Sequence, residues 1–192
     1  SLPDKAKRHF TQTYEDRNGT LWAGTNNGLF TFSLRDNQWH TVCDTLGQVS
    51  ALKEDKQGNL WIGTTNKGLY QQSSKGKCKK IPSSLSITCL SVQEDSLIWI
   101  GTQEGGVYAL NPQTGKLTDH TRLCGLNGNI VNQLEFDVYG HLWIDTNQKL
   151  IEYNPKNHSF STYLTTDNSM LLRRFIPTAI CKGDDGRIYF GG

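Results

Sequence analysis

A sixteen-residue pattern recurs through the 192 residues, and its spacing constrains the fold more than any other feature. The fullest copy is Asp55-Lys-Gln-Gly58-Asn-Leu60-Trp61-Ile-Gly63-Thr64-Thr-Asn-Lys-Gly68-Leu69-Tyr70. Earlier copies and later ones run over Asp16–Phe30, Glu94–Tyr108 and Asp137–Thr146, and a half copy covers Gly183–Gly192. From Trp22 the anchors fall at Trp61, Trp99, Trp143 and Tyr189, in steps of 39, 38, 44 and 46 residues. A period near 40 residues built from strand-like units predicts a β-propeller.

Each copy is read as part of a four-stranded antiparallel blade. First strands end at Asp16, Asp55, Asp95 and Asp137. An Asp-x-x-Gly turn follows, because Asp accepts bonds from amides two residues on and Gly tolerates positive φ. By this alignment the third copy shortens its turn to Ser96 alone. A calcium loop is the chemical alternative, but the turn lacks oxygen ligands at alternating positions, so no metal is expected. The second strand, Leu-Trp-Ile-Gly-Thr at 60–64, is apolar on both faces and must be covered on both. A Trp repeated in register is blade packing, since packing is needed in every blade and a binding site only once. Fourth strands carry Trp39, Cys78, Leu117 and Phe160 in one slot, which makes Trp39 packing as well.

The expected class is therefore all-β, with four blades (9–43, 48–82, 87–121 and 130–164) and the start of a fifth (175–192). The last copy stops inside the motif, so the chain reads as part of a larger ring whose open edges would favour self-association.

The fourth copy departs from the pattern. Asp145 stands where the others carry Gly, and Lys149 replaces the Gly that opens the third strand. The expectation is an exposed or locally satisfied carboxylate, with a cross-hairpin pair to Lys149 or a cleft as the alternatives.

Loops on one rim are where binding residues belong. The candidates are Asn26, Asn66, Lys67, Gln103, Glu104, Arg122, Asn147, Arg173 and Arg174, on the second-to-third-strand loops and the long connectors 121–129 and 165–174. No nucleophile elbow, phosphate loop, HExxH or CxxC occurs, so there is no positive signal for an enzyme or a cofactor. Glu15, Glu54, Glu94 and Glu135 recur near the turns, and recurrence points to structure.

Charge excludes little. The net charge is +2, and the Lys75–Lys80 run lacks interleaved aromatics, so nucleic acid is not an expected partner. No apolar run reaches the ~18 residues of a membrane helix. Five dispersed cysteines argue against a disulfide framework, and Cys78 and Cys89 read as small buried apolar residues.

The pattern Asp-x-x-Gly-Asn-Leu-Trp-Ile-Gly-Thr-x-x-x-Gly-Leu-Tyr, best at 55–70, resembles the propeller repeat of two-component regulators. The resemblance implies the periplasmic sensor region of a hybrid two-component system of the kind found in gut Bacteroidetes. It implies a non-enzymatic module that senses oligosaccharides and works with remaining propeller blades and downstream signalling domains. The competing readings are an interaction segment that mediates a homodimer through Trp39, Phe160 and Tyr163, and a propeller polysaccharide hydrolase or lyase.

Overall fold

A computed structural model describes residues 9–74, 76, 78–93, 97–164, 180–183 and 185–190. Among these the strands form four four-stranded sheets and one two-stranded sheet, each with its strands in chain order. The first sheet holds β1 (Phe10–Glu15), β2 (Leu21–Thr25), β3 (Leu29–Ser33) and β4 (Gln38–Cys43). The second holds β5 (Val49–Glu54), β6 (Leu60–Thr64), β7 (Gly68–Gln72) and β8 (Cys78–Ile81). The third holds β9 (Ile87–Val92), β10 (Ile98–Thr102), β11 (Val107–Leu110) and β12 (Leu117–Asp119). The fourth holds β13 (Val131–Phe136), β14 (Leu142–Thr146), β15 (Lys149–Asn154) and β16 (Ser159–Leu164), and β17 (Ile180–Lys182) pairs with β18 (Ile188–Phe190). No helix long and apolar enough to cross a membrane occurs among the described residues. Four-stranded up-and-down sheets at this repeat are the blades of a propeller.

The chain divides into two compact units, Ser1–Leu90 and Ser91–Gly192. In the first, Leu29, Leu46, Val49, Leu52, Leu60 and Ile62 form a buried cluster with Tyr14, Trp22 and Tyr70 packed against it. The small residue of the second strand sets the distance between neighbouring sheets. A Cβ on Gly24 would stand 2.5 Å from Val49 Cγ1, and one on Gly63 would stand 2.5 Å from Ile87 Cγ2. Only glycine admits that approach. At the bulge of β5, Ser50 Oγ donates to the Ile87 carbonyl at 2.6 Å. Arg17 ties the first two turns, donating from Nε to Glu54 Oε1 at 2.6 Å and from its guanidinium to the Lys56 and Asp55 carbonyls.

The Asp of each turn does more than cap it. Asp55 Oδ1 accepts from the amides of Gln57 and Asn59 at 3.0 and 2.8 Å, while Oδ2 accepts from the Trp61 indole at 2.8 Å. Asp16 holds Trp22 at 2.9 Å and Asp137 holds Trp143 at 3.0 Å in the same way. These bonds outweigh burial and hold the Asp16 carboxyl below its ordinary range. Both the turn and the strand that follows it are thus closed by one side chain six residues before the indole.

This geometry corrects the reading of the third copy. Trp99 donates to Gln93 Oε1 at 3.0 Å, and the Gln93 amide bonds the Leu97 carbonyl as the Asp55 amide bonds that of Asn59. Gln93, not Asp95, occupies the turn position, and the turn is not shortened. In the last copy both partners change together: Gly183 stands at the carboxylate position and Tyr189 at the indole position, where its hydroxyl reaches Asp185 at 3.4 Å. The third copy also moves its left-handed glycine, since φ is +84° at Gly105, whereas the second copy places it at Gly68 with +82°.

Asp145 is neither exposed nor paired with Lys149. It is 1% exposed, and its Oδ1 has no hydrogen-bond partner among the described residues. The Lys149 ammonium donates instead to the Gly125 carbonyl at 2.7 Å. Burial raises the Asp145 carboxyl to about 6, against a hydrogen bond from Asn132 that favours the anion. Trp39, Phe160 and Tyr163 have separate local partners: Trp39 packs with Phe10 and Phe32, Phe160 lies over Gly125, and Tyr163 stacks on Trp143.

Asp55→Ala leaves a buried indole N–H and two turn amides without their acceptor. Urea denaturation should show a loss of roughly 1–3 kcal/mol, with Asp55→Asn losing less. For Asp145 the folded pKa lies above the unfolded one, so its favourable contribution is full below the ordinary carboxylate pKa and is lost as pH rises through 6. Asp145→Asn should therefore raise Tm by roughly 2–5 °C at pH 8, with the gain shrinking towards pH 4 in thermal melts.

Candidate functional site

The loops that carry the sequence candidates are built by the threonine ending each second strand. Thr25, Thr64, Thr102 and Thr146 donate from Oγ1 to the carbonyls of Gly28, Gly68, Gly106 and Lys149 at 3.1, 2.7, 3.0 and 2.7 Å. The same oxygens accept loop amides, from Asn27, Lys67, Gly106 and Lys149 in turn. A short polar loop is thereby pinned at its base, and its tip is left to solvent.

In the first unit Asn66 and Lys67 are exposed and Asn26 is half-buried. Lys67 Nζ donates to the Thr45 carbonyl at 2.7 Å, and a Cβ on Gly47 would stand 2.7 Å from Asn66 Oδ1. The connector after β4 therefore runs against the β6–β7 loop.

The second unit repeats this arrangement with a longer connector. Residues 120–126 turn on themselves through Cys124 N to His120 O at 3.0 Å and Leu126 N to Thr121 O at 3.1 Å. Cys124 and Leu126 are buried beneath, while Arg122 and Leu123 face outward. The Lys149 bond to Gly125 pins this connector to the fourth blade. Beyond it, Asn129 passes so close to Gly105 that a Cβ there would stand 2.4 Å from the Asn129 carbonyl oxygen.

Between the connector and the β14–β15 loop lies a cleft of about 790 Å³, lined by Asn127, Gly128, Asn129, Ile130, Asn147, Gln148 and Lys149. Four of its seven lining residues carry side-chain amides and none is acidic, so it offers donors and acceptors side by side. Its one cation is already engaged with a backbone carbonyl. Such a lining suits a neutral polyhydroxylated ligand and supplies no acid–base pair for catalysis.

Of the sequence candidates, Asn147 lines this cleft. Arg122 lies on the same connector but outside the lining, and Gln103 and Glu104 are exposed on the loop that Asn129 crosses. Asn26, Asn66 and Lys67 belong to the first unit, and Arg173 and Arg174 lie outside the described residues. Asn127, Asn129 and Gln148 are the additional lining residues. The length of the connector is the signal for Asn127 and Asn129, and Gln148 is the neighbour of the candidate Asn147 on the same loop.

A second cluster combines Asp137, His141 and Glu152, whose ligand-type atoms all lie within 4.8 Å of one another. Its atoms are already committed. Asn154 Oδ1 accepts from the Lys156 amide, so its NH2 faces His141 Nε2 at 3.2 Å and the ring proton sits on Nδ1. That Nδ1–H donates to Glu152 Oε1 at 2.7 Å, Tyr163 donates to Glu152 Oε2 at 3.0 Å, and Asp137 Oδ2 holds Trp143. A metal ion would have to displace this proton and turn the imidazole against the Asn154 amide. The cluster closes the hairpin rather than seating an ion.

Comparison with known proteins agrees with the blade geometry. Residues 6–27 and 45–66 match the family described as "Two component regulator propeller". No curated protein matches the chain by sequence. Among solved structures, the extracellular domain of a hybrid two component system from B. thetaiotaomicron superposes with a TM-score of 0.80 at 23% identity, over 100% of this chain and 27% of that one. The extracellular domain of a one component system from the same organism gives 0.74 at 24% identity, over 90% of this chain and 25% of that one. Virginiamycin B lyase from Staphylococcus aureus gives 0.75 at 14% identity, over 93% and 61%. This chain thus spans about a quarter of the sensor domains it is similar to. The match to the two component regulator propeller falls on the first two blades, and the likeness to these solved structures supports the β-propeller fold of the chain.

Proposed function

We propose that this chain is a ligand-sensing part of an extracytoplasmic receptor in a two-component system, that it is not itself an enzyme, and that its ligand is an oligosaccharide. The observation that carries this reading is the amide-lined cleft between the third-to-fourth-blade connector and the β14–β15 loop. Vicinal hydroxyls both donate and accept, and the side-chain amides of Asn127, Asn129 and Asn147 offer both functions. The cleft lining holds no aromatic plane, so recognition would rest on hydrogen bonds rather than on ring stacking.

The mechanism follows from the way the cleft is pinned. Thr146 fixes one wall and the Lys149 contact with Gly125 fixes the other. A ligand bridging the walls would draw the connector towards the fourth blade. That strain would pass to whatever follows the blades, which in a two-component receptor is the signalling part. Periplasmic placement and partnership with further blades and signalling domains belong to this same proposal.

A thermal-shift screen against neutral and acidic oligosaccharides tests it. One class of sugar should raise Tm by several degrees, and the joint substitution N129A/N147A should remove that rise. A shift untouched by these substitutions would place the ligand elsewhere. No shift with any sugar would favour self-association through the exposed Phe160 and Tyr163 instead, which sedimentation would register as a dimer.

A further inference from the structure

The turn before each outer strand has one left-handed residue, which is Asn37, Gly76 or Gly115 in the first three blades and His158, at φ 59°, in the fourth. Glycine and asparagine are the usual occupants of that backbone, so a histidine there points to a use for its ring. Two further exceptions to the repeat meet it. Tyr153 stands where the third strands of the other blades carry Phe32, Gln72 and Leu110, and His120, opposite Val107, stands where Ile81 faces Leu69 in the second blade. The Tyr153 hydroxyl lies 2.7 Å from His158 Nδ1 and 3.2 Å from His120 Nδ1, and the residue is 0% exposed. His120 packs on Trp99 with ring centroids 4.7 Å apart.

One hydroxyl proton serves both rings. The phenol donates to one Nδ1 and accepts from the Nδ1–H of the other, and all three groups are satisfied. The arrangement can carry one added proton on the exposed His158, whose Nδ1–H then donates to the phenol while the phenol donates to His120. A proton on His120 as well sets two N–H donors on one oxygen, strands the buried phenol O–H without an acceptor, and places two cations with ring centroids 6.1 Å apart. We propose that His120, Tyr153 and His158 form a pH-operated latch that holds the 120–126 connector on the fourth blade and lets it go when both imidazoles carry a proton.

The surroundings of His120 favour its neutral form. Burial and the His158 ring hold it below the ordinary imidazole range, against the pull of Asp119 on β12, which is itself bonded to the Thr121 amide at 2.8 Å and drawn by Arg122. Trp99 and Phe136, from β10 and β13, bring no charge. Burial pushes the Cys124 thiol and the Tyr153 phenol each up to about 12, so neither offers an anion to a charged ring. With its folded pKa below the unfolded value, the His120 contribution is full above about 6.5 and is lost as pH falls. Release leaves the connector tied to the fourth blade through Lys149 and Gly125. Asn127 and Asn129 continue the same connector, so one wall of the amide cleft would loosen; that consequence rests on the cleft being the ligand site, whereas the latch does not.

Residue-resolved hydrogen exchange on the ligand-free chain tests the latch at the amides of Cys124 and Leu126, which donate to the His120 and Thr121 carbonyls. The reference is the Asn111 amide of the same unit, which donates to the Lys116 carbonyl at 2.9 Å. After correction for intrinsic exchange, protection at Cys124 and Leu126 should fall about tenfold relative to Asn111 between pH 7.5 and 5.5, because the released connector binds the proton that the latch refuses. Tyr153→Phe removes the shared hydroxyl and should show the low protection already at pH 7.5, with little further fall at pH 5.5. Level protection across this range in the unsubstituted chain, a fall matched at Asn111, or a full fall retained in Tyr153→Phe would each overturn the proposal. The first two outcomes are read on the unsubstituted chain and do not depend on whether the variant folds.

Discussion

The bond between the turn carboxylate and the indole six residues later is the constraint on which the blades depend. A buried Trp offers about the largest apolar surface of any side chain, but its N–H must find an acceptor. Placing that acceptor on the turn just before the strand makes one side chain satisfy the turn amides and the core at once. Trp61 and Trp99 lie in the interior, 1% exposed, with their donors satisfied from within their own blades. Each blade is in this sense closed locally, which is what a chain of repeats needs if its stability is to accumulate from neighbour to neighbour.

Where the repeat is strict it describes packing; where it lapses it describes something else. Gly24 and Gly63 let adjacent sheets touch, and the fourth copy gives that position to a buried carboxylate beside the rim that carries the amide cleft. The third-to-fourth-blade connector is longer than the one after β4, and the cleft lies along it. The loops above can vary while the scaffold is little disturbed, because the Thr latch beneath them is kept in all four blades.

The all-β class, the blade count and the strand positions were legible because Trp, Gly and Thr recur at a fixed period. Less legible was the third turn, where Glu94-Asp95-Ser96 imitates the motif two residues late and only the indole contact with Gln93 restores the register. The choice among rim residues was hidden for a different reason. Asn26, Asn66 and Asn147 occupy equivalent loops, and what separates Asn147 is a connector distant in sequence.

The coupled change at Gly183 and Tyr189 bears on how such repeats diverge. Deleting the carboxylate alone strands a buried donor, and deleting the indole alone leaves a carboxylate with its turn amides and no loss of burial for any polar group, so the two routes are unequal. A copy that keeps its Trp must therefore keep some acceptor at the turn, as the third copy does with Gln93. The last copy, with Gly183 at the carboxylate position and Tyr189 at the indole position, has no indole N–H left to satisfy, and its phenol finds Asp185 instead.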